Sequence, residues 1–545
     1  MDEHPTMISY ADKSFLILDD FPEFRRSLRT MVQQLGAEDI DLAATGEEAI
    51  SLCANRRYDI ILSDYNLGEG KDGQQVLEEL IERKLLRRGA IFVMTTAENS
   101  TAMVMGALEY QPDAYITKPF NKVALQARLD KLMEKRLALA DIDQALEKND
   151  TARAIELCDR EIQSKSRYAL ACLRTKAELL EQEERFDEAA KIYASLSADR
   201  PVPWAMLGLA RVTLGKGEAE AARKQFEDVI KQLPTLTPAY DGLAKTWVGL
   251  GEPIKAQQVL LEAVRRSPKA VLRQSELGKI ASENGDLETA TRAFRQAVNL
   301  GRHSIHKNPD NYLKLADCLV KGIGSNPVED KRSSDEVMKT LHELDTDYKG
   351  DKQISMRSLL TQGSLAKKQN RSKDAENAAV GASKLLKELD SGLAPSIALE
   401  VAEKFQTLGK TEVARDVLQN CAELYSDNDQ IRAKFAELET DSNVMKQTDQ
   451  ALNLNGLGIT EFEQKKYDDA LLHFREAVKL APRNISIVLN TAQTLVEKYR
   501  LQPDARLLTE CQGYLDQVRS MPTDDKRYKR FQGLLQLTQQ LKQAH

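Results

Sequence analysis

Three carboxylates, a hydroxyl and a lysine follow short apolar runs in the first part of this 545-residue chain. Asp19 and Asp20 come directly after "FLIL", and Asp64 follows "IILS". Thr96 and Lys118 end two later runs, in "FVMTTAE" and "AYITKPF". Carboxylate oxygens suit Mg²⁺, and a lysine pairs with a phosphoryl oxygen as a point charge. These residue types predict phosphoryl chemistry assisted by a bound cation.

The apolar runs before these residues predict the strands that bring them together. The runs alternate with helical stretches, which is typical of a doubly wound parallel sheet. The carboxyl ends of parallel strands meet at one edge, where the chemistry of such folds gathers. We therefore expect the five side chains to converge there, although Asp19 and Asp20 as simple helix caps are the alternative. The five runs are residues 15–18, 40–43, 60–62, 91–94 and 114–116.

The order of these motifs resembles the response-regulator receiver domain of bacterial two-component signalling. The resemblance covers residues 13–138, and "FLILDDFPEFRR" is especially similar to the chemotaxis receiver. It implies an α/β doubly wound, flavodoxin-like fold. It also implies a Mg²⁺ site in which Asp20 binds the ion directly, Asp19 binds mainly through water, and Asp64 and the backbone carbonyl of Asn66 complete the protein ligands. A receiver that folds but is not phosphorylated is the alternative.

The same resemblance implies roles in phosphoryl transfer. Asp64 would be the phosphoacceptor, Thr96 would hydrogen-bond the phosphoryl group, Lys118 would neutralise it, and Tyr115 would be the aromatic switch. One stretch departs from the family pattern: in "DYNLGEGKDG", Gly68 replaces the usual proline, and the loop is about two residues longer. This departure leaves the implied metal ligands untouched but is expected to affect phosphoryl lifetime or access of partners.

Helical repeats follow the receiver. Small residues recur every 34 residues, at Ala222, Ala256 and Ala290. Large residues recur with the same 34-residue spacing, at Phe226, Leu260 and Phe294. This period resembles that of tetratricopeptide repeats and predicts an all-α superhelix. A further unit lies at 454–482. Weaker units are expected near 168–198, 395–425 and 485–518, and near 312–344 and 356–386, where an unrelated helical bundle is the alternative.

The concave face of such a superhelix is expected to bind a protein or peptide. The ninth positions of three successive first helices are Arg211, Lys245 and Lys279, which form a predicted basic ladder for an acidic or carboxylate ligand. Solvated charges without a ligand are the alternative.

The chain between and beyond these units completes the predicted organisation. Residues 121–150 contain no Gly or Pro, which predicts a semi-rigid helical connection, with at most one kink, from the receiver to the repeats. The polar stretch 322–336 predicts a flexible insertion, and 429–450 predicts a helical segment without a partner. The expected domains are 13–138, 139–321 with the linker and first repeats, 322–450 with diverged repeats, and 451–545 with C-terminal repeats and a capping helix.

Composition excludes several classes of protein. The net charge is −7, and the first 138 residues carry about −6 of it. The chain therefore has no large excess of basic residues to attract nucleic acid, and we expect it not to bind DNA or RNA. No leader or membrane-length apolar run is seen, which predicts a cytoplasmic protein. His303 and His306 are expected in a solvated loop. Buried, reduced thiols are expected at Cys53, Cys158, Cys172, Cys318, Cys421 and Cys511.

Together these features predict a bacterial response regulator that is phosphorylated on Asp64 by a sensor histidine kinase and signals through protein contacts of its repeats. Beyond its own aspartyl phosphorylation and dephosphorylation, no enzymatic activity is expected. Two alternatives stay open: a phosphorylation-independent scaffold, and a phosphatase or phosphate sink acting on a two-component partner. A dimer formed through the receiver is also open.

Overall fold

The computed structural model describes residues 8–97, 112–197, 202–324, 326–389, 391–436 and 442–543. The chain divides into two compact units, Met1–Cys318 and Leu319–His545. Within the described residues, no helix combines the length and apolar character needed to cross a membrane. The prediction of buried, reduced thiols is confirmed, since all six cysteines are buried and form no disulfide.

A five-stranded parallel sheet opens the first unit, as the alternating apolar runs predict. Its spatial order is β2-β1-β3-β4-β5. The inner strands are buried along almost their whole length, because helices cover both faces of such a sheet. The strands are β1 (Ser14–Leu18), β2 (Asp39–Ala43), β3 (Ile60–Asp64), β4 (Ile91–Thr96) and β5 (Ala114–Thr117).

Four described helices pack around this sheet, and residues 98–111 between β4 and β5 lie outside the described part of the chain. Local signals start three of them: Thr45, Asp72 and Asn121 each accept a hydrogen bond from a backbone N–H of the first turn. The helices are Pro22–Gln33, Gly46–Asn55, Gly73–Glu82 and Lys122–Ala138.

The connection from the α/β domain to the helical repeats is helical with a single interruption. Helix Lys122–Ala138 is followed by Ala140–Glu147, and only Leu139, at φ −102° and ψ 7°, leaves the helical geometry. Arg136 donates to Asp113 Oδ1 at 2.7 Å and lies 3.8 Å from Asp143 Oδ2. Arg136 therefore ties the helices on both sides of the kink to the edge of the receiver.

Pairs of antiparallel helices make up the rest of the first unit. The residues of the 34-residue pattern lie between the helices, since Ala222, Ala256 and Ala290 are fully buried. Phe226 and Leu260 fill the adjacent space. The helices are Thr151–Gln163, Ala169–Gln182, Phe186–Ser197, Pro203–Gly215, Ala219–Gln232, Thr237–Gly249, Pro253–Arg266, Val271–Glu283, Leu287–Gly301 and Pro309–Gly322, the last of which continues past Cys318.

The second unit is also helical, and it corrects the prediction of a flexible insertion at 322–336. A 21-residue helix begins at Pro327, and the side chain of Asn326 accepts a hydrogen bond from Val328 N–H. Proline in the first turn after a capping residue starts a helix rather than breaking one. The helices are Pro327–Asp347, Lys352–Lys368, Ser372–Lys387, Pro395–Thr407, Thr411–Leu424, Asp429–Ala436, Ser442–Glu463, Tyr467–Leu480, Ile485–Leu501, Ala505–Gln517 and Tyr528–Gln543.

The expected unpartnered segment 429–450 is corrected as well. Residues 442–450 begin the 22-residue helix Ser442–Glu463, because no Gly or Pro interrupts the chain before residue 456. The later part of this helix packs against Tyr467–Leu480, where Phe474 lies beside Gly458. Residues 442–450 therefore belong to a paired helix, residues 429–436 form the short helix Asp429–Ala436, and residues 437–441 lie outside the described part of the chain.

The packing of the first repeats predicts the effect of removing one large side chain. Replacing Leu260, which is 1% exposed, by alanine should lower the free energy of unfolding by about 2–5 kcal/mol, because a cavity remains between the helices. The same substitution at Leu272, which is 58% exposed, should cost less than about 0.5 kcal/mol. Urea denaturation followed by circular dichroism measures both, and equal losses would contradict this packing.

Candidate functional site

The three carboxylates meet at the carboxyl edge of the sheet, as predicted. Asp19 and Asp20 follow β1 and Asp64 ends β3, and one oxygen from each lies within 4.8 Å of the others. Lys118 follows β5 and places its Nζ 2.7 Å from Asp19 Oδ2 and 2.8 Å from Asp64 Oδ2. The parallel strands β1, β3 and β5 end at the same edge of the sheet and thus bring together groups that are up to about a hundred residues apart in the chain.

The hydrogen bonds of Asp19 restrict its role. Its side chain is fully buried, and its Oδ1 accepts a hydrogen bond from Phe21 N–H at 2.9 Å while Oδ2 accepts from Lys118. Asp20 is partly exposed and turns toward the same space. The carboxylate cluster fits a divalent cation, because it offers hard oxygen ligands at a partly open edge.

The environment of Asp64 combines burial with a positive neighbour. Its carboxylate is 13% exposed, and its Oδ1 accepts a hydrogen bond from Tyr65 N–H at 2.8 Å. Burial raises the pKa of Asp64 above its ordinary value, and the ammonium of Lys118 opposes this rise. Lys118 therefore stabilises the ionised carboxylate that a nucleophile needs.

The Phe24 ring contacts Lys118 and packs in turn against Phe120, and the sequence prediction missed both rings. Lys118 Nζ lies 4.1 Å from the centroid of the Phe24 ring. Phe120 packs edge-on against Phe24 with the centroids 5.7 Å apart. Arg25, in the same helical turn, donates a hydrogen bond to the carbonyl of Asp19. The segment "DDFPEF" could have predicted the contact of Phe24 with Lys118, because residues one turn into the helix after β1 face the edge of the sheet.

The loop after Asp64 depends on two glycines. Gly68 has φ +71°, which proline cannot adopt, and a Cβ there would lie 3.3 Å from Asp20 Oδ2. A Cβ at Gly73 would lie 2.1 Å from the carbonyl oxygen of Asp64. Gly73 N–H donates to the carbonyl of Tyr65 at 2.8 Å. The replacement of proline by Gly68 thus changes the backbone path next to a candidate metal ligand.

The remaining receiver residues lie near the site. Thr96 is 4% exposed at the end of β4, and its carbonyl accepts a hydrogen bond from Lys118 N–H at 2.7 Å. Asn66, whose backbone carbonyl is a predicted metal ligand, is exposed in the loop after β3. The hydroxyl of Tyr115 is buried without a hydrogen-bond partner among the described residues. Burial, with a smaller contribution from Tyr65, raises the pKa of Tyr115 to about 12.

The predicted basic ladder on the repeats is only partly available to a ligand. Lys245 and Lys279 are exposed. Arg211 instead donates from Nε and Nη2 to the two carboxylate oxygens of Glu181, each at 2.8 Å, and the Tyr193 hydroxyl donates to the same carboxylate. The guanidinium of Arg211 therefore joins neighbouring repeats, and a groove ligand would have to compete with Glu181.

Comparison with known proteins assigns the N-terminal domain. The family profile described as "Response regulator receiver domain" matches residues 15–130. These residues form a receiver domain. The Vibrio cholerae protein named "Chemotaxis protein CheY-3" is 28% identical over 120 residues, which are 22% of this chain and 91% of the relative. The Pseudomonas aeruginosa "Chemotaxis protein CheY" is 26% identical over 120 residues, 22% of this chain and 95% of the relative.

Two profiles described as "Tetratricopeptide repeat" match residues 174–236 and 451–484. The chain therefore carries tetratricopeptide repeats behind its receiver. A tetratricopeptide repeat protein from Parabacteroides merdae is similar in structure with a TM-score of 0.30 and 14% identity, covering 50% of this chain and 97% of that one.

Lys118 is predicted to hold the carboxylate cluster together. Replacing it by methionine should lower the free energy of unfolding of the receiver by about 3 kcal/mol without divalent cations, because two buried carboxylates lose their counter-charge. A divalent cation should restore part of this loss. Thermal unfolding of the full chain with and without Mg²⁺ measures the effect, with Lys131→Met, an exposed lysine of the same domain, as the control. Equal behaviour of the two variants would contradict the bridging role.

Proposed function

We propose that this protein is a two-component response regulator that accepts a phosphoryl group on Asp64 and signals through protein contacts of its repeats. The observation that carries the proposal is the placement of the Asp64 carboxylate beside Asp19, Asp20 and the ammonium of Lys118. A nucleophilic carboxylate, a cluster that fits a cation, and a positive group for a phosphoryl oxygen are the parts that phosphoryl transfer requires.

The residues act by position and charge. An Asp64 carboxylate oxygen forms a bond to phosphorus while the bond between phosphorus and the leaving group of the donor breaks. Lys118 turns from Asp19 and Asp64 to an oxygen of the transferred group and offsets its added negative charge. The Thr96 hydroxyl, at the end of the neighbouring strand, donates a hydrogen bond to the same group.

Mg²⁺ is the cation that we propose for the carboxylate cluster. When bound, it would neutralise charge on the phosphoryl oxygens and orient the donor. Asp20 and Asp64 would bind it directly, together with the carbonyl of Asn66. Asp19 would act mainly through water, as the receiver resemblance implies, while Phe21 N–H holds its Oδ1.

The input and output follow from the two kinds of domain. A sensor histidine kinase is the proposed phosphodonor, since a phosphohistidine supplies a good leaving group to a carboxylate. The proposed output is binding of a protein or peptide by the repeats, for which Lys245 and Lys279 remain exposed on the first helices of successive repeats. The protein itself would catalyse only the formation and hydrolysis of its own aspartyl phosphate.

The phosphoacceptor can be tested directly. Wild-type chain treated with a small phosphodonor and Mg²⁺ should gain one phosphoryl group, and Asp64→Asn should gain none, because the amide cannot act as the nucleophile. Asp12→Asn is the matched control, since the Asp12 side chain is 71% exposed and lies away from the site. Intact-protein mass spectrometry reads the adduct, and circular dichroism verifies the fold of each variant.

Two results would oppose the assignment. An adduct that persists on Asp64→Asn would place the acceptor elsewhere. A wild-type chain that gains no phosphoryl group in Mg²⁺ would favour a phosphorylation-independent scaffold.

A further inference from the structure

Two loops between successive repeats face the receiver within the first unit. Lys269 lies in the loop before helix Val271–Glu283, and His303 lies in the loop after Leu287–Gly301. The two positions are 34 residues apart, so they are equivalent positions of neighbouring repeats. Both loops contact the segment that follows Asp64 in the chain.

Lys71 makes the first contact. Its ammonium donates a hydrogen bond to the backbone carbonyl of His303 and pairs with Glu79 Oε2 at 3.1 Å. The side chain of Lys71 is only 15% exposed, although lysines in surface loops are usually solvated. The repeat loop therefore covers this lysine.

Lys269 makes the second contact. Its Nζ lies 5.6 Å from the centroid of the Tyr65 ring, within range of a cation–ring attraction. Burial raises the pKa of Asp72, and the charge of Lys269 opposes that rise. A lysine of the repeats thus faces an aromatic ring and a carboxylate of the receiver.

His306 corrects the prediction of a solvated loop for the histidine pair. His303 is exposed, but the His306 side chain is half-buried. Burial lowers the pKa of His306, and the Glu82 carboxylate opposes this shift. Sequence reasoning missed this contact because the carboxylate lies more than two hundred residues earlier in the chain.

Charge complementarity extends along this contact. The receiver contributes the helix Gly73–Glu82 and the turn before it, which carry the acidic residues Asp72, Glu78, Glu79 and Glu82. The repeat loops contribute Lys269 and the basic segment 302–307, "RHSIHK". Opposite signs on facing surfaces favour specific docking of one on the other.

Tyr65 connects this contact to the phosphoacceptor. Its backbone N–H donates to Asp64 Oδ1 at 2.8 Å, and its ring is 6% exposed. The ring packs in the same apolar cluster as Tyr115, whose buried hydroxyl has no partner within the described part of the chain. A change in the position of Tyr115 or of the Asp64 carboxylate would therefore disturb the ring that Lys269 covers.

We propose that the segment 65–82 of the receiver is a docking surface for the basic loops at Lys269 and 302–307 of the same chain, and that phosphorylation of Asp64 releases it. This inference rests on the proposed function for its trigger, although the docking contact does not. The contact is small and polar and is built on the unphosphorylated arrangement, in which Lys118 bridges Asp19 and Asp64. Moving Lys118 to a phosphoryl group removes that arrangement, and release uncovers a basic surface suited to an acidic partner.

Accessibility of Lys71 to an amine-acylating reagent tests the release. In the unmodified full-length chain Lys71 should react slowly, and treatment with phosphoramidate and Mg²⁺ should raise its labelling about fivefold or more, as expected for a coupled contact. Lys269→Glu should raise labelling of Lys71 without a phosphodonor, because the cation–ring contact is replaced by repulsion from Asp72. Lys231→Glu is the matched control: the same charge change at an exposed lysine of the same repeats should leave Lys71 unchanged.

Reciprocity gives a second readout in the same samples. If phosphorylation weakens the docking, then at a fixed phosphoramidate concentration the ratio of phosphorylated to unphosphorylated chain should be about twofold to fivefold higher for Lys269→Glu than for the wild type, and unchanged for Lys231→Glu. An adduct on Asp64 with unchanged labelling of Lys71 would overturn the release while the proposed function holds. Absence of any adduct, with Lys269→Glu still raising the labelling of Lys71, would overturn the proposed function and the trigger but leave the docking contact. Equal labelling of Lys71 in all three chains would overturn the docking itself.

Discussion

The ammonium of Lys118 is the group on which the carboxylate cluster at the edge of the sheet depends. Asp19 is fully buried and Asp64 nearly so, and two such carboxylates so close together need a counter-charge. Lys118 supplies it from β5, across the sheet from β1, and the Phe24 ring holds the ammonium from the side. The parallel register of the strands therefore decides whether the site exists, and a transferred phosphoryl group would find its counter-charge already in place.

Much of this arrangement could be predicted from the sequence. β1 and β3 are short apolar runs that alternate with helical stretches, and this pattern predicts parallel strands whose last residues lie at a common edge. The small residues at Ala222, Ala256 and Ala290 likewise predicted the helix contacts, because only tight packing requires a fixed small side chain in each repeat. The rest depended on partners that are distant in sequence. Arg211 was predicted to face a ligand but binds Glu181. The stretch 322–336 was predicted to be a flexible insertion, but Pro327 begins a helix there, since proline can start a helix as well as interrupt one.

The loop between Asp64 and Gly73 is where the two kinds of domain meet. Its glycine at position 68 and its added length appeared as a departure from the receiver pattern. In the structure the same loop carries Tyr65 and Lys71, which contact neighbouring repeats through Lys269 and the carbonyl of His303. The 34-residue period explains why two neighbouring loops of the repeats reach this segment: successive repeats present equivalent loops at the same edge. The altered loop of the receiver thus lies against two equivalent loops of the repeats, at Lys269 and His303.

The central claim is that chemistry at Asp64 changes the contact between the receiver and its first repeats. Hydrogen–deuterium exchange of the full-length chain, with and without phosphoramidate and Mg²⁺, tests this most directly. The account predicts faster exchange in both segments 65–82 and 302–307 of the phosphorylated wild type, and no such change in Asp64→Asn under the same conditions. Unchanged exchange in both segments of a chain that carries the phosphoryl group, or the same change in Asp64→Asn, would contradict it.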